Sequence, residues 1–172
     1  MGKLELKHLA GYLPYGLKCL SGVSPILKNE FAWEILGFEK NKDIRLGFSV
    51  KSIRHDYKNI INIWPIKPIL HPLSDLTKEI DVNGEKFVPL VKLAIRYANS
   101  TRYNDKIAMH NEKCYCYSKS SELEFRFDGW DFLLKGQRVQ QQFQLFERLY
   151  EWHFDIHSLI EKGLAIDINT LE

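Results

Sequence analysis

The sequence predicts an α+β fold, with an antiparallel sheet packed against a long C-terminal helix and short accessory helices beside it. Three observations carry this reading. In Ile44-Arg-Leu-Gly-Phe-Ser-Val the apolar residues Ile44, Leu46, Phe48 and Val50 fall two apart, the alternation of a half-buried strand. Cys114-Tyr-Cys-Tyr-Ser and Glu122-Leu-Glu-Phe-Arg-Phe alternate in the same way on either side of Lys119-Ser-Ser, which predicts a hairpin over 113–127. From Gln137 to Gly163 the period changes to that of a helix. With 172 residues, 45% of them apolar and 13% aromatic, the chain is long enough to build a core. It reads as a single domain over 1–172, sheet-rich over 1–66, with a helix, the hairpin and the C-terminal helix over 67–172.

Taken in order, Leu4, Leu6 and Leu9 predict a short N-terminal helix, which Pro14 and Gly16 break. Phe31-Ala-Trp-Glu-Ile, the run from Ile44 and Ile60-Ile-Asn-Ile-Trp predict strands, separated by turn-like Asn-Lys-Asp and His-Asp-Tyr-Lys-Asn. Pro65, Pro68 and Pro72 deny ladder hydrogen bonds, so 65–72 is expected to be a stiff connector. Ser74 can cap a short helix, and Val82-Asn-Gly-Glu is the composition of a tight hairpin turn. Leu90, Leu93, Ala94 and Tyr97 share one face of a further helix, with Lys92 and Arg96 on the other. In the last helix, expected to open at Gly136, Leu145, Leu149, Trp152, Ile156 and Leu159 form one stripe. Phe143, Phe146, Tyr150, His153 and His157 form a second beside it. Gly163 would close that helix in the left-handed conformation.

The net charge is +2, unevenly divided. Residues 1–70 hold 11 Lys and Arg against 6 Asp and Glu, a balance of +5; residues 71–172 hold 13 against 16, or −3. A total so near zero argues against general coating of a duplex, so any contact with nucleic acid must be local. No run of about 18 apolar residues spans a membrane. The N-terminus alternates charge with apolar residues instead of presenting a secretory stretch, and Leu6 stands where a myristoylation motif needs Ser or Thr. Three cysteines make no disulfide framework and suit a reducing, cytoplasmic setting.

Catalytic signatures are missing. His153 and His157 would lie one helical turn apart, yet Phe154 stands where a zincin has Glu. Cys114 and Cys116 share a strand face with His110 nearby, but two buried small residues on a sheet explain them without a metal. Asp128 and Asp131 sit on a turn, where Asp bonds the local backbone, and Glu122 and Glu124 alternate outward. Walker, dinucleotide and serine-nucleophile motifs do not occur. The expectation is a non-enzymatic protein without cofactor or resident metal, for which a small-molecule substrate and a membrane partner are not anticipated.

One basic stretch points elsewhere. Lys92, Arg96, Arg102, Lys106, Lys113 and Lys119 interleave with Tyr97, Tyr103, Tyr115 and Tyr117, a combination of cations and stacking rings that suits single-stranded nucleic acid or a phosphate-bearing partner. The residues assigned to a partner or nucleic acid are Lys92, Arg96, Tyr97, Arg102, Tyr103 and Lys106. A second group, Arg45, Lys51, Arg54 and Lys58, lies on and after the alternating strand, and Arg45, Lys51 and Arg54 are assigned to the same role.

The stretches from His8 to Lys18, from Lys67 to Ile80 and from Leu145 to Asn169 resemble small proteins carried by phages and prophages of Bacteroidetes-type bacteria, a group that names no activity. The matching runs are mostly apolar, turn or capping positions and carry fold. The resemblance implies a binding protein of phage origin at work in the bacterial host cell. Its genomic context suggests an inhibitor of a host CRISPR–Cas effector, acting on that ribonucleoprotein or its RNA. A phage regulator binding single-stranded nucleic acid directly, and a metal-dependent enzyme at His153 and His157 or at Cys114 and Cys116, are the alternatives.

Overall fold

A computed structural model of the chain describes residues 4–21, 32–40, 46–52, 58–62, 66–97, 106–110, 113–117 and 124–171; for 21, 32–40, 46–52, 58–62 and 106–110 the description is of the backbone. In chain order the elements are α1 (Leu6–Leu9), β1 (Lys18–Ser21), β2 (Ala32–Lys40), β3 (Leu46–Ser52), β4 (Lys58–Asn62), β5 (Ile66–Leu70), β6 (Ile80–Val82), β7 (Glu85–Phe87), α2 (Pro89–Tyr97), β8 (Lys106–His110), β9 (Lys113–Tyr117), β10 (Glu124–Phe127), β11 (Phe132–Leu134), β12 (Gln137–Arg138), α3 (Gln142–Glu151) and β13 (Ile166–Asp167). Short 3-10 turns lie at Ala10–Tyr15, Leu73–Thr77 and Ile168–Thr170. Helices and mostly antiparallel sheets make this an α+β chain, divided into two compact units: Met1–Pro72 with Tyr150–Glu172, and Leu73–Leu149.

In the first unit, α1 runs into the 3-10 turn and stops at Gly16, whose φ of 67° is the left-handed conformation that glycine adopts freely. A six-stranded sheet follows, in the order β13-β5-β1-β2-β3-β4. Leu9, Tyr12, Leu17, Cys19, Ile66, Leu70 and Leu159 form its buried cluster. Each such large apolar side chain contributes roughly 1.5–3 kcal/mol. Residues 65–72 are not the connector expected from their prolines: Ile66–Leu70 is an internal strand. Pro68 is tolerated because β13 pairs only with Ile69 and Leu70, leaving β1 as the one neighbour alongside it.

The second unit holds the β6–β7 hairpin and a five-stranded sheet in the order β12-β11-β10-β9-β8. Asn83 and Gly84, at φ 55° and 86°, make the tight turn that their composition predicts. The β9–β10 hairpin forms with Cys114 opposite Phe127 and Cys116 opposite Phe125, all four buried. Phe146 of α3 meets Phe127 and Phe132 edge-on, at ring centroid separations of 6.1 and 5.8 Å. Leu90, Leu93 and Ala94 of α2 are buried, as the spacing requires.

Two expectations need correction. The N-terminal strands and the hairpin do not share one sheet; they belong to separate sheets, one in each unit. Nor is there a helix from 137 to 163. Lys135 and Gly136, at φ 52° and 75°, form a turn that returns Gln137 and Arg138 to the sheet edge, so α3 begins only at Gln142. It ends at Glu151 because the backbone beyond it is recruited by the end of β5. His71 N–H donates to His153 O at 2.9 Å, and Asp155 N–H donates to His71 O at 2.8 Å. His153 takes a left-handed φ of 56°, and the buried Asp155 carboxylate accepts from the N–H groups of Leu159 and Ile160 at 2.8 and 2.7 Å. Among the described residues, no helix is long and apolar enough to cross a membrane.

Candidate nucleic-acid interface

Strand alternation builds this face. With Cys114 and Cys116 buried on one side of β9, Lys113, Tyr115 and Tyr117 fall on the other, each half-buried. Burial pushes the two thiols up to about 11 and about 12, as expected of a sheet interior. The Tyr115 and Tyr117 rings lie parallel, 2° apart in plane, with centroids separated by 5.9 Å. On β10, Arg126 stands opposite Tyr115 and Glu124 opposite Tyr117. The guanidinium carbon of Arg126 is 6.0 Å from the Tyr115 ring centre, at the edge of cation–π range. Arg126 Nη1 donates to Glu124 Oε1 at 3.1 Å, while its buried Nε has no acceptor among the described residues. Leaving such a donor unpaired costs about 1–3 kcal/mol. On the far side, backbone register sets Lys106 opposite Tyr117 and His110 opposite Lys113.

The residues assigned from the sequence are dispersed. Lys92, Arg96 and Tyr97 lie on α2, Lys106 on β8, and Lys51 on β3 of the other unit. Arg102, Tyr103, Arg45 and Arg54 fall outside the described residues. Lys92 is engaged internally: its ammonium is 2.7 Å from Glu85 Oε1 and 3.8 Å from the centre of the Phe87 ring. Arg96 is exposed, with its guanidinium carbon 5.6 Å from the centre of the Tyr97 ring. Arg126 was missing from the assignment, although its place between Phe125 and Phe127 already marked it as outward-facing.

The histidine pair does not converge as a helix would make it. His153 is held with Nε2 3.0 Å from Tyr15 O, while His157 Nε2 lies 3.4 Å from the Tyr150 hydroxyl. Among the described residues, no group of three or more His, Cys, Asp or Glu is arranged to hold a metal ion. Compared with protein-family models, with curated proteins and with solved structures, the chain matches none.

Proposed function

We propose that this protein is a non-enzymatic binding protein whose five-stranded sheet takes single-stranded nucleic acid on the face bearing Tyr115, Tyr117 and Arg126. The observation that carries the reading is the parallel, partly exposed tyrosine pair with an arginine beside it. Sheet-borne aromatic rings of this kind hold unpaired bases, and flanking cations hold the phosphates between them. The buried cysteines behind the tyrosines keep the strand in register, so the rings are presented without a large ordering cost. Within this reading, the resemblance to phage-borne proteins supports a setting in the host cell. The nucleic acid would then be the RNA of a host defence ribonucleoprotein such as a CRISPR–Cas effector, and the effect inhibitory.

Fluorescence anisotropy with single-stranded RNA and DNA, titrated with salt, tests the proposal. Each stacked base contributes about 1–3 kcal/mol, so Tyr115→Ala or Tyr117→Ala should weaken binding by about tenfold or more. Affinity should also fall with salt, since the phosphates release counterions on binding. Saturable binding that ignores both substitutions would refute the assignment of the face, and absence of binding would refute the function.

A further inference from the structure

We infer that Trp130 is the outlying end of the same track, a third stacking ring for a nucleotide of the strand held by Tyr115 and Tyr117. The inference rests on the nucleic-acid reading above and extends it. Trp130 is 85% exposed, an unusual place for the largest apolar side chain. The turn that carries it is closed by local hydrogen bonds. The Asp128 carboxylate accepts from the N–H groups of Trp130 and Asp131 at 3.2 and 3.0 Å, and Asp128 N–H donates to Asp131 O at 3.2 Å. Gly129, at φ 95°, supplies the conformation the turn requires, and Arg138 Nη2 braces it at 2.8 Å from Asp131 Oδ1. These contacts hold the backbone of the turn at Trp130 and leave the ring open to a stacking base.

The register places this turn at one end of the tyrosine strand. Cys114 pairs with Phe127, so Lys113 ends β9 beside the start of this turn. Tyr117, Tyr115 and Lys113 succeed one another at two-residue steps of roughly 6.6 Å, and Lys113 is at the end of the strand nearest the turn that bears Trp130. Lys113 follows Tyr115 toward the turn and would supply a charge for a phosphate there. The carboxylates along the route are already occupied: Glu124 by Arg126, Asp131 by Arg138 and Asp128 by backbone N–H groups. They therefore repel a polyanion less than their formal charges suggest.

The test compares 5′-labelled oligouridylates of three and of eight nucleotides, by anisotropy, on the full chain. The trimer covers the tyrosine pair; the octamer also reaches the turn. Trp130→Ala should weaken the octamer by about tenfold and leave the trimer within about twofold of wild type, whereas Tyr115→Ala should weaken both. Trp130→Phe should recover part of the octamer affinity. Because the side chain is exposed, thermal unfolding of Trp130→Ala should match wild type. If Trp130→Ala binds both oligomers like wild type while Tyr115→Ala weakens both, the inference about Trp130 falls and the nucleic-acid reading stands. If wild type binds neither oligomer, both fall together.

Discussion

Replacing His153 by Asn should make the protein markedly less sensitive to acid. The imidazole is largely enclosed, and its Nε2 sits 3.0 Å from Tyr15 O, so the neutral ring donates there. Burial lowers its pKa from 6.5 to about 4; the Tyr15 carbonyl opposes the shift, and the charges of His71 and Lys18 add to it. The unfolded chain, titrating near 6.5, therefore binds more protons than the folded one between about pH 6.5 and pH 4. Stability from this group is complete above 6.5, falls as pH drops through that window and is flat below it. At 1.36 kcal/mol per unit, the full gap is worth about 3 kcal/mol at most, and partial exposure of the ring trims it toward about 2. Asn suits the position because it tolerates the left-handed backbone at φ 56° and does not titrate. Urea unfolding followed by far-ultraviolet circular dichroism, at about pH 7.5 and about pH 4.5, should show wild type losing about 2 kcal/mol more than His153→Asn. His157, which burial and the neighbouring His8 also shift downward, contributes equally to both proteins. Equal losses in the two, or a His153 ring resonance titrating near 6.5, would refute the reasoning.

Two further outcomes follow from the packing. Gln142 clamps the start of α3 to β11: its Oε1 accepts from Phe132 N–H at 2.9 Å, and its Nε2 donates to Phe132 O and Val139 O at 2.6 and 2.8 Å. Gln142→Ala should lower stability by about 1–3 kcal/mol in thermal or urea unfolding, and an unchanged midpoint would show the clamp to be idle. Burial raises the thiols of Cys19 and Cys116 to about 12 and that of Cys114 to about 11. Near pH 8 an aromatic disulfide reagent should titrate all three promptly only after unfolding in guanidinium, and fast reaction of the native protein would contradict the sheet interior described here.

The hairpin at 113–127 and the turn at Asn83-Gly84 were legible because each is a local pattern: period-two alternation in one, a residue pair suited to positive φ in the other. The helix end at Glu151 was not. Leu145, Leu149, Trp152 and Leu159 keep helical spacing and are all buried, yet the last two lie beyond the helix. Burial fixes which residues point inward and does not oblige the backbone between them to stay helical. What stops α3 is the hydrogen bonding of His71 with His153 and Asp155, whose partners are some eighty positions apart in sequence. No local propensity encodes such a contact. Pro68 failed in the opposite direction, since its missing N–H matters only where a neighbour would demand it, and β13 is too short to do so.

The same distinction governs the functional assignment. A count of cations along 90–119 favours α2, because Lys92 and Arg96 are spaced to share a helix face. A charge can act on a partner only insofar as its own neighbours leave it available, and Lys92 already has Glu85 and the Phe87 ring. The Tyr115 and Tyr117 rings lie against each other with Arg126 beside Tyr115. Their faces are apolar and partly exposed, and stacking needs no net charge, which suits a chain whose total is only +2. Strand alternation also fixes their direction, since rotating Tyr115 inward would turn Cys114 and Cys116 out of the core. On the proposed reading the face is a consequence of the core behind it, so substitutions that loosen Cys116 or Phe125 should weaken nucleic-acid binding without touching the ligand.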